Sequence, residues 1–318
     1  RNLEALAPLL TPQYAERCMF CTDDKHPSDL LEKGHIDYIA REAINKYGVD
    51  PIIAVKAACH HAARYFLLNN RGAIAPGYLA DFAVIDNFKD FNVEMVFKKG
   101  VLYWADGKLK DFPEPQIEEY LDHRAHDTFH VSRLTPDDFR DTRQRGVLGM
   151  IPGEIITTDN GYADHVDLDK DILKIAVIER HKNTHHIGLG YIQGYGLKSG
   201  AVATSISHDS HNIIVVGTNS ADMAAAANHI VEHHGGIVVM ENGEVKGEVV
   251  LEIAGIMSDR PLTEINTELE TAKTAAFDLG VSRGIDPFMT LSFMALPVIP
   301  KLRITTRGVI DVETQQYV

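Results

Sequence analysis

R-C-M-F-C-T-D-D occupies Arg17 to Asp24. Its first six residues form a short, largely apolar run suited to a buried strand, and the run ends on two carboxylates, Asp23 and Asp24. Immediately downstream, residues 30–47 and 52–66 predict helices. Asp50-Pro51 between them supplies a cap followed by a proline at the first helical position. The pattern then changes to short β-rich runs between Gly, Pro and Asp turns. These are G-A-I-A-P-G-Y-L-A-D-F-A-V-I-D (Gly72 to Asp86), V-E-M-V-F-K-K-G-V-L-Y-W (Val93 to Trp104) and a turn at Asp106-Gly107. Such punctuation predicts the strands of a small sheet. A polar, proline-bearing connector follows from Pro113.

The remainder mixes both kinds of element. Strands are expected at Leu173 to Ile178, Ala201 to Ser207, Ile213 to Val216 and Ile237 to Met240. Glu241-Asn242-Gly243-Glu244 reads as a hairpin, since Asn-Gly suits the positive φ angles of a type I′ turn. Helices are expected at Ser220 to His233, with Ser220 as cap, and at Thr263 to Leu279, closed by Gly280. The apolar run Phe288 to Ile299 is a candidate interface for a homo-oligomer.

The chain has 318 residues, 45% of them hydrophobic and 24% charged, with a formal net charge of −14. That length accommodates two or three domains. The acidic balance repels nucleic acid and anionic lipid, which argues against both as partners. No stretch approaches the roughly 18 apolar residues of a membrane span. Three cysteines make no disulfide framework and point to the cytoplasm. Cys18 and Cys21 have C-x-x-C spacing, but residues three apart on a strand face opposite ways and no second pair completes a zinc site.

A short strand ending in an acidic residue is where a (β/α)8 barrel keeps its chemistry. Asp23 is so placed, although an aspartate in that position also commonly caps the next element. His208, Asp209 and His211, in S-H-D-S-H-N, put two imidazoles and a carboxylate on one turn between apolar runs. They can bind a divalent metal or orient a substrate; equally, they can satisfy backbone groups of a buried turn. His181, His185 and His186 form a looser group suited to a surface loop, and Glu179-Arg180 suits a simple ion pair. The two histidines of Cys59-His60-His61-Ala62 point in different directions from one helix and read as structural or surface residues. The glycine-rich Gly188 to Ala201 lacks the signatures of a P-loop or a dinucleotide fingerprint; a tight turn or close backbone approach explains it better.

The T-D-D strand end, the following helix and the Gly72–Asp86 motif resemble the end of an amidohydrolase-superfamily chain. Ile178 to His181, Gly188 to Ala201 and Ser205 to Gly217 resemble the C-terminal domain of bacterial adenine deaminases within it. The resemblance implies an α/β plus α+β architecture. Residues 1–66 would be the terminal strand and helices of a metal-dependent (β/α)8 barrel, and 67–112 a β-sandwich segment. Residues 113–145 would be a connector and 146–318 an α+β C-terminal domain. It implies Asp23 as metal ligand and catalytic proton shuttle, and a divalent metal, manganese first with iron(II) or zinc as alternatives. The implied reaction is hydrolytic deamination of adenine to hypoxanthine and ammonia, as in purine salvage. Such enzymes carry an H-x-H pair that is absent ahead of Asp23, and the chain opens on Arg1 without a methionine. The expectation is therefore that the N-terminal barrel half is missing here and that residues 1–318 alone are inactive. Another cyclic amidohydrolase, or a non-catalytic binding or assembly module, is the alternative.

Overall fold

The structure, a computed structural model, describes residues 2–110, 116–141 and 143–318. The chain divides into two units, Arg1–Gln116 and Ile117–Val318. In the first, a short helix α1 (Leu3–Leu6) precedes α2 (Pro27–Lys33) and α3 (Ile36–Asn45). The single helix expected over 30–47 is split. Gly34 has φ +98°, outside the helical region, and the His35 N–H is taken by the Asp37 carboxylate at 2.7 Å. Asp50 caps α4 (Pro51–Val55) as expected, accepting from the N–H groups of Ile52 (2.8 Å) and Ile53 (3.2 Å). A π turn, Lys56–His60, links α4 to α5 (His61–Tyr65). Small side chains dominate the core beneath these helices: Ala7, Leu10, Ala43, Val49, Ala54 and Ala57.

The run Arg17–Thr22 is not a strand. Arg17 closes a 3-10 turn, and Cys18–Thr22 joins no ladder among the described residues. It is tied instead by Phe20 N–H to the Ala57 carbonyl at 3.1 Å. An apolar pattern can select which side chains are buried, but a strand exists only where a neighbour supplies hydrogen-bond partners. The sheets of the described residues are all open, none closing into a barrel. Downstream, β1 (Phe82–Ile85), β2 (Val93–Lys98), β3 (Val101–Ala105) and β4 (Lys108–Leu109) form one antiparallel sheet in sequence order.

The start of the expected connector, residues 113–115, lies outside the described residues, as do 111, 112 and 142. Its later part is not a loose tether. Glu119–His126 forms α6, and Leu134 and Phe139 are buried in the core of the second unit. That unit is built on β5 (Arg145–Met150), β6 (Thr157–Ala163), β7 (Ile172–Ile178), β8 (Ile187–Gln193), β9 (Ala201–Thr204) and β10 (Ile213–Gly217). Helix α7 (Ser220–Glu232) follows, then the hairpin of β11 (Gly236–Glu241) and β12 (Glu244–Val250). The eight strands lie in the order β12-β11-β9-β10-β7-β8-β5-β6, antiparallel except for the pair β5 and β8. Asn242 (φ +53°) and Gly243 (φ +76°) make the expected hairpin turn. Asn219, not Ser220, caps α7, its side chain accepting from Asp222 N–H at 2.8 Å.

Both faces of this sheet are covered, so its central strands read as continuous apolar runs. Leu173, Ile175 and Val177 of β7 face one core, shared with α8 (Leu262–Asp278) and α9 (Pro287–Phe293). Ala176 and Ile178 face the other, shared with Met223, Ala227 and Ile230 of α7. The run Phe288–Ile299 is divided between core and surface, with Val298 exposed. Phe288, Leu291, Met294 and Ala295 are buried in the first of these cores. A three-stranded sheet, β13 (Leu302–Thr305), β14 (Gly308–Asp311) and β15 (Gln316–Tyr317), completes the unit. It explains the glycines of β8: a Cβ at Gly188 would strike Thr305 O, and one at Gly190 would strike Val309. No helix of the described residues is long and apolar enough to cross a membrane.

Candidate functional site

Asp23 stands at the end of the Cys18–Thr22 run with its backbone at φ +54° and its side chain exposed. Aspartate is one of the few residues that visits this region readily. One carboxylate oxygen accepts the Asp24 N–H at 3.0 Å. The run that carries Asp23 is fixed from the helix above it: buried His61 donates from Nδ1 to the Cys18 carbonyl at 2.9 Å. Thr22 Oγ1 lies 3.3 Å from His35 Nε2. His61 is thus a structural tether. Cys18, Cys21 and Cys59 are free thiols.

The second candidate, Ser205–Asn212, belongs to the other unit. Ser205 is buried, donating from Oγ to the Gly255 carbonyl at 2.5 Å and accepting the Gly236 N–H at 2.8 Å. His211 N–H donates to the Ser207 carbonyl at 2.6 Å, and the Ser210 carbonyl accepts from His181 Nε2 at 2.8 Å. His208 stacks on Phe293, centroids 4.7 Å apart, and meets His211 at 6.0 Å. Asp209 points outward, its side chain 85% exposed and 3.9 Å from His208 Nδ1. Burial, and then the neighbouring His208 and Arg180, lower the pKa of His211. Among the described residues, His208, Asp209 and His211 are not a group whose ligand atoms come together within reach of one ion. Asp209, Ser210 and Asn212 form one wall of a groove of about 330 Å³, with Ala295 to Val298 and Ile304 to Thr306 among its other walls.

What organises this turn is Arg180, for which the sequence suggested only an ion pair. It is 2% exposed, and its guanidinium donates to the carbonyls of His211, Thr128 (2.9 Å) and Ala254 (2.8 Å). Phe129 packs against it, 4.3 Å from ring centre to guanidinium carbon. Its backbone N–H is accepted by Asn212 Oδ1 at 3.2 Å. Burial lowers its pKa, and carbonyl oxygens stand in for a carboxylate partner. Glu179 turns away, and burial opposes its charge. The Thr184 backbone and hydroxyl and the N–H groups of His181 and Lys182 overcome that and hold its carboxyl below the usual range. His185 Nε2 lies 3.0 Å from Asp138 Oδ1, so the His181–His186 group disperses to separate partners.

Residues 2–103, which contain Asp23 and the strands β1 and β2, match the Amidohydrolase family. Residues 154–316 match the Adenine deaminase C-terminal domain, and the chain belongs to that family. The adenine deaminase of Nitratidesulfovibrio vulgaris (strain Hildenborough) is 42% identical over the whole of this chain and 56% of its own length. The adenine deaminases of Desulfatibacillum aliphaticivorans and Kosmotoga olearia are each 41% identical, again over the whole chain and 56% of their length. The chain thus spans a little over half the length of the curated relatives it matches.

These families imply a divalent metal. Asp23 suits one position of such a site, being an exposed carboxylate with acceptor capacity left over. A catalytic metal needs about three protein ligands. Among the described residues no second and third His, Cys, Asp or Glu accompanies Asp23 within reach of one ion. The residues present fit one ligand of the set and do not fit a complete metal centre.

Proposed function

We propose that this chain serves the hydrolytic deamination of adenine to hypoxanthine and ammonia, with Asp23 as the group that moves the proton. The single observation that carries this reading is the presence of two matches in one chain: an amidohydrolase segment containing Asp23, and the adenine deaminase C-terminal domain. In the reaction a water oxygen adds to C6 of the purine, the bond from C6 to the exocyclic nitrogen breaks, and ammonia leaves. Asp23 accepts the proton from the water and delivers it to the departing nitrogen. Positioned proton transfer of this kind contributes about 10²–10⁴-fold. A divalent cation, when bound, supplies acidification of water; manganese is the first candidate, with iron(II) and zinc as alternatives. Its other ligands come from outside residues 1–318, in the part of the relatives' length that this chain does not span. A second copy of the chain and a cytoplasmic location belong to the same proposal.

The exposed loop-end position of Asp23 supports a role outward from the fold, because among the described residues the carboxylate holds no internal partner beyond the next N–H. For His208, Asp209 and His211 the inward hydrogen bonding of the turn favours bracing over ligation. Of the three, Asp209 lines the groove wall, beside Ser210 and Asn212. The test is Asp23→Asn in the protein of full relatives' length. Turnover of adenine should fall by about 10³-fold or more with KM little changed. Near-normal turnover would remove Asp23 from the reaction. The 318-residue chain by itself should show no turnover with added manganese, iron(II) or zinc.

A further inference from the structure

One group of side chains has no part in this chemistry. His229 lies in the last turn of α7 and His233 follows it by four residues, just past the helix end. The His233 N–H still donates to the His229 carbonyl at 3.1 Å, which keeps the two residues one helical turn apart. Their ring centroids are 4.3 Å apart. Glu248 approaches from the edge strand β12. Gly247 and Val249 face α8 on one side of that strand, so Glu248, alternating with them, points to the α7 side. There His229 Nε2 meets Glu248 Oε2 at 2.6 Å. One ligand atom from each of the three residues lies within 4.8 Å of the others, and among the described residues no other His, Cys, Asp or Glu group is so arranged.

We propose that His229, His233 and Glu248 form a binding site for one zinc-like divalent transition metal, separate from the catalytic metal. Two imidazoles and one carboxylate are a donor set that zinc accepts with a water in the fourth position. The nitrogen donors select zinc, cobalt, nickel or copper over magnesium and calcium. Tetrahedral coordination needs the donor atoms roughly 3.4 Å apart. The present spacing, within 4.8 Å for all three and 2.6 Å between His229 Nε2 and Glu248 Oε2, brackets that value, so the adjustment needed is one of side-chain rotation. On binding, the metal takes the place of the hydrogen bond between His229 Nε2 and Glu248, and His229 ligates as the neutral tautomer that carries its single ring proton on Nδ1. The end of α7 is the negative pole of its helix dipole, which favours a cation there. The metal would tie the edge of the eight-stranded sheet to the helix that covers it.

The test uses protein stripped with a chelator and titrated with zinc, and with cobalt(II) for its visible absorption. The unsubstituted protein should bind one more equivalent of metal than His233→Ala, and zinc should raise its unfolding temperature. His233→Ala leaves the bond between His229 and Glu248 intact, so its metal-free unfolding temperature should be unchanged. Its zinc affinity at this site should fall by roughly 100-fold. Glu248→Gln should behave likewise, whereas Asp23→Asn should keep the added equivalent. Equal stoichiometry and equal thermal response in the unsubstituted protein, His233→Ala and Glu248→Gln would overturn the site without touching the deaminase reading.

Discussion

The two units use their apolar side chains in opposite ways. Residues 2–66 gather a core made largely of alanines, while Tyr65, Phe66, Leu67 and Ile74 nearby remain between 64% and 90% exposed. In residues 117–318 Leu, Ile and Val from neighbouring strands fill both faces of one sheet, and many are fully enclosed. The difference follows from the ladder. Antiparallel neighbours lock each strand of the second unit, so alternate side chains are delivered to fixed layers. The helices of the first unit meet across small side chains, and among the described residues the run bearing Asp23 joins no strand. Large side chains there have less to pack against.

Truncation inside the second unit should have the largest effect. Leu173→Ala removes a fully buried side chain and should cost about 2–5 kcal/mol, read as a drop in the denaturant midpoint. Next comes Asp141, which lies between Arg143 (3.0 Å) and Arg145 (2.6 Å) with its side chain 6% exposed. Burial opposes its charge, but the two arginines overcome this and hold the carboxyl far below its ordinary pKa. A depressed acid contributes stability that is complete above its unfolded pKa of about 3.9 and is lost as pH falls toward the folded value. Asp141→Asn should therefore cost about 1–2 kcal/mol at neutral pH. That difference should shrink steadily below about pH 4 in unfolding curves taken across pH. Smallest of all should be Leu67→Ala in the first unit. Leu67 is 77% exposed, so the change should stay within about 0.5 kcal/mol. A loss comparable to that of Leu173→Ala would erase the contrast between the units.

Legibility followed the range of the interactions. The Asp50-Pro51 cap, the Asn242-Gly243 hairpin and the helix ending at Gly280 depend on residues within a few positions of one another, and all three stand in the structure. Asn219 displaced Ser220 as cap because either side chain can accept the first free N–H groups, and only the local backbone decides between them. Longer-range outcomes were hidden. Phe288–Ile299 looks like a surface patch until α8 and the sheet are seen to enclose Phe288, Leu291, Met294 and Ala295. Arg180 reads as half of an ion pair until carbonyls from remote segments arrive around it. The spacing of His229 and His233 was visible in the sequence, but Glu248 joins them only through the fold of β11 and β12. At the candidate catalytic site, Asp23 could be picked out from its neighbours. The strand assigned to its support depended on partners that a single run cannot specify.

The cage around Arg180 bears on the order in which the second unit assembles. Its acceptors come from residues 128, 211 and 254, so a cation already enclosed waits on three separate stretches of backbone. Withdrawing any one strands a charge without solvent, which makes partial detachment of the 128–130 stretch as unfavourable as opening the turn itself. The guanidinium thereby works as a keystone: these three stretches should gain and lose protection from hydrogen exchange together, as one cooperative block.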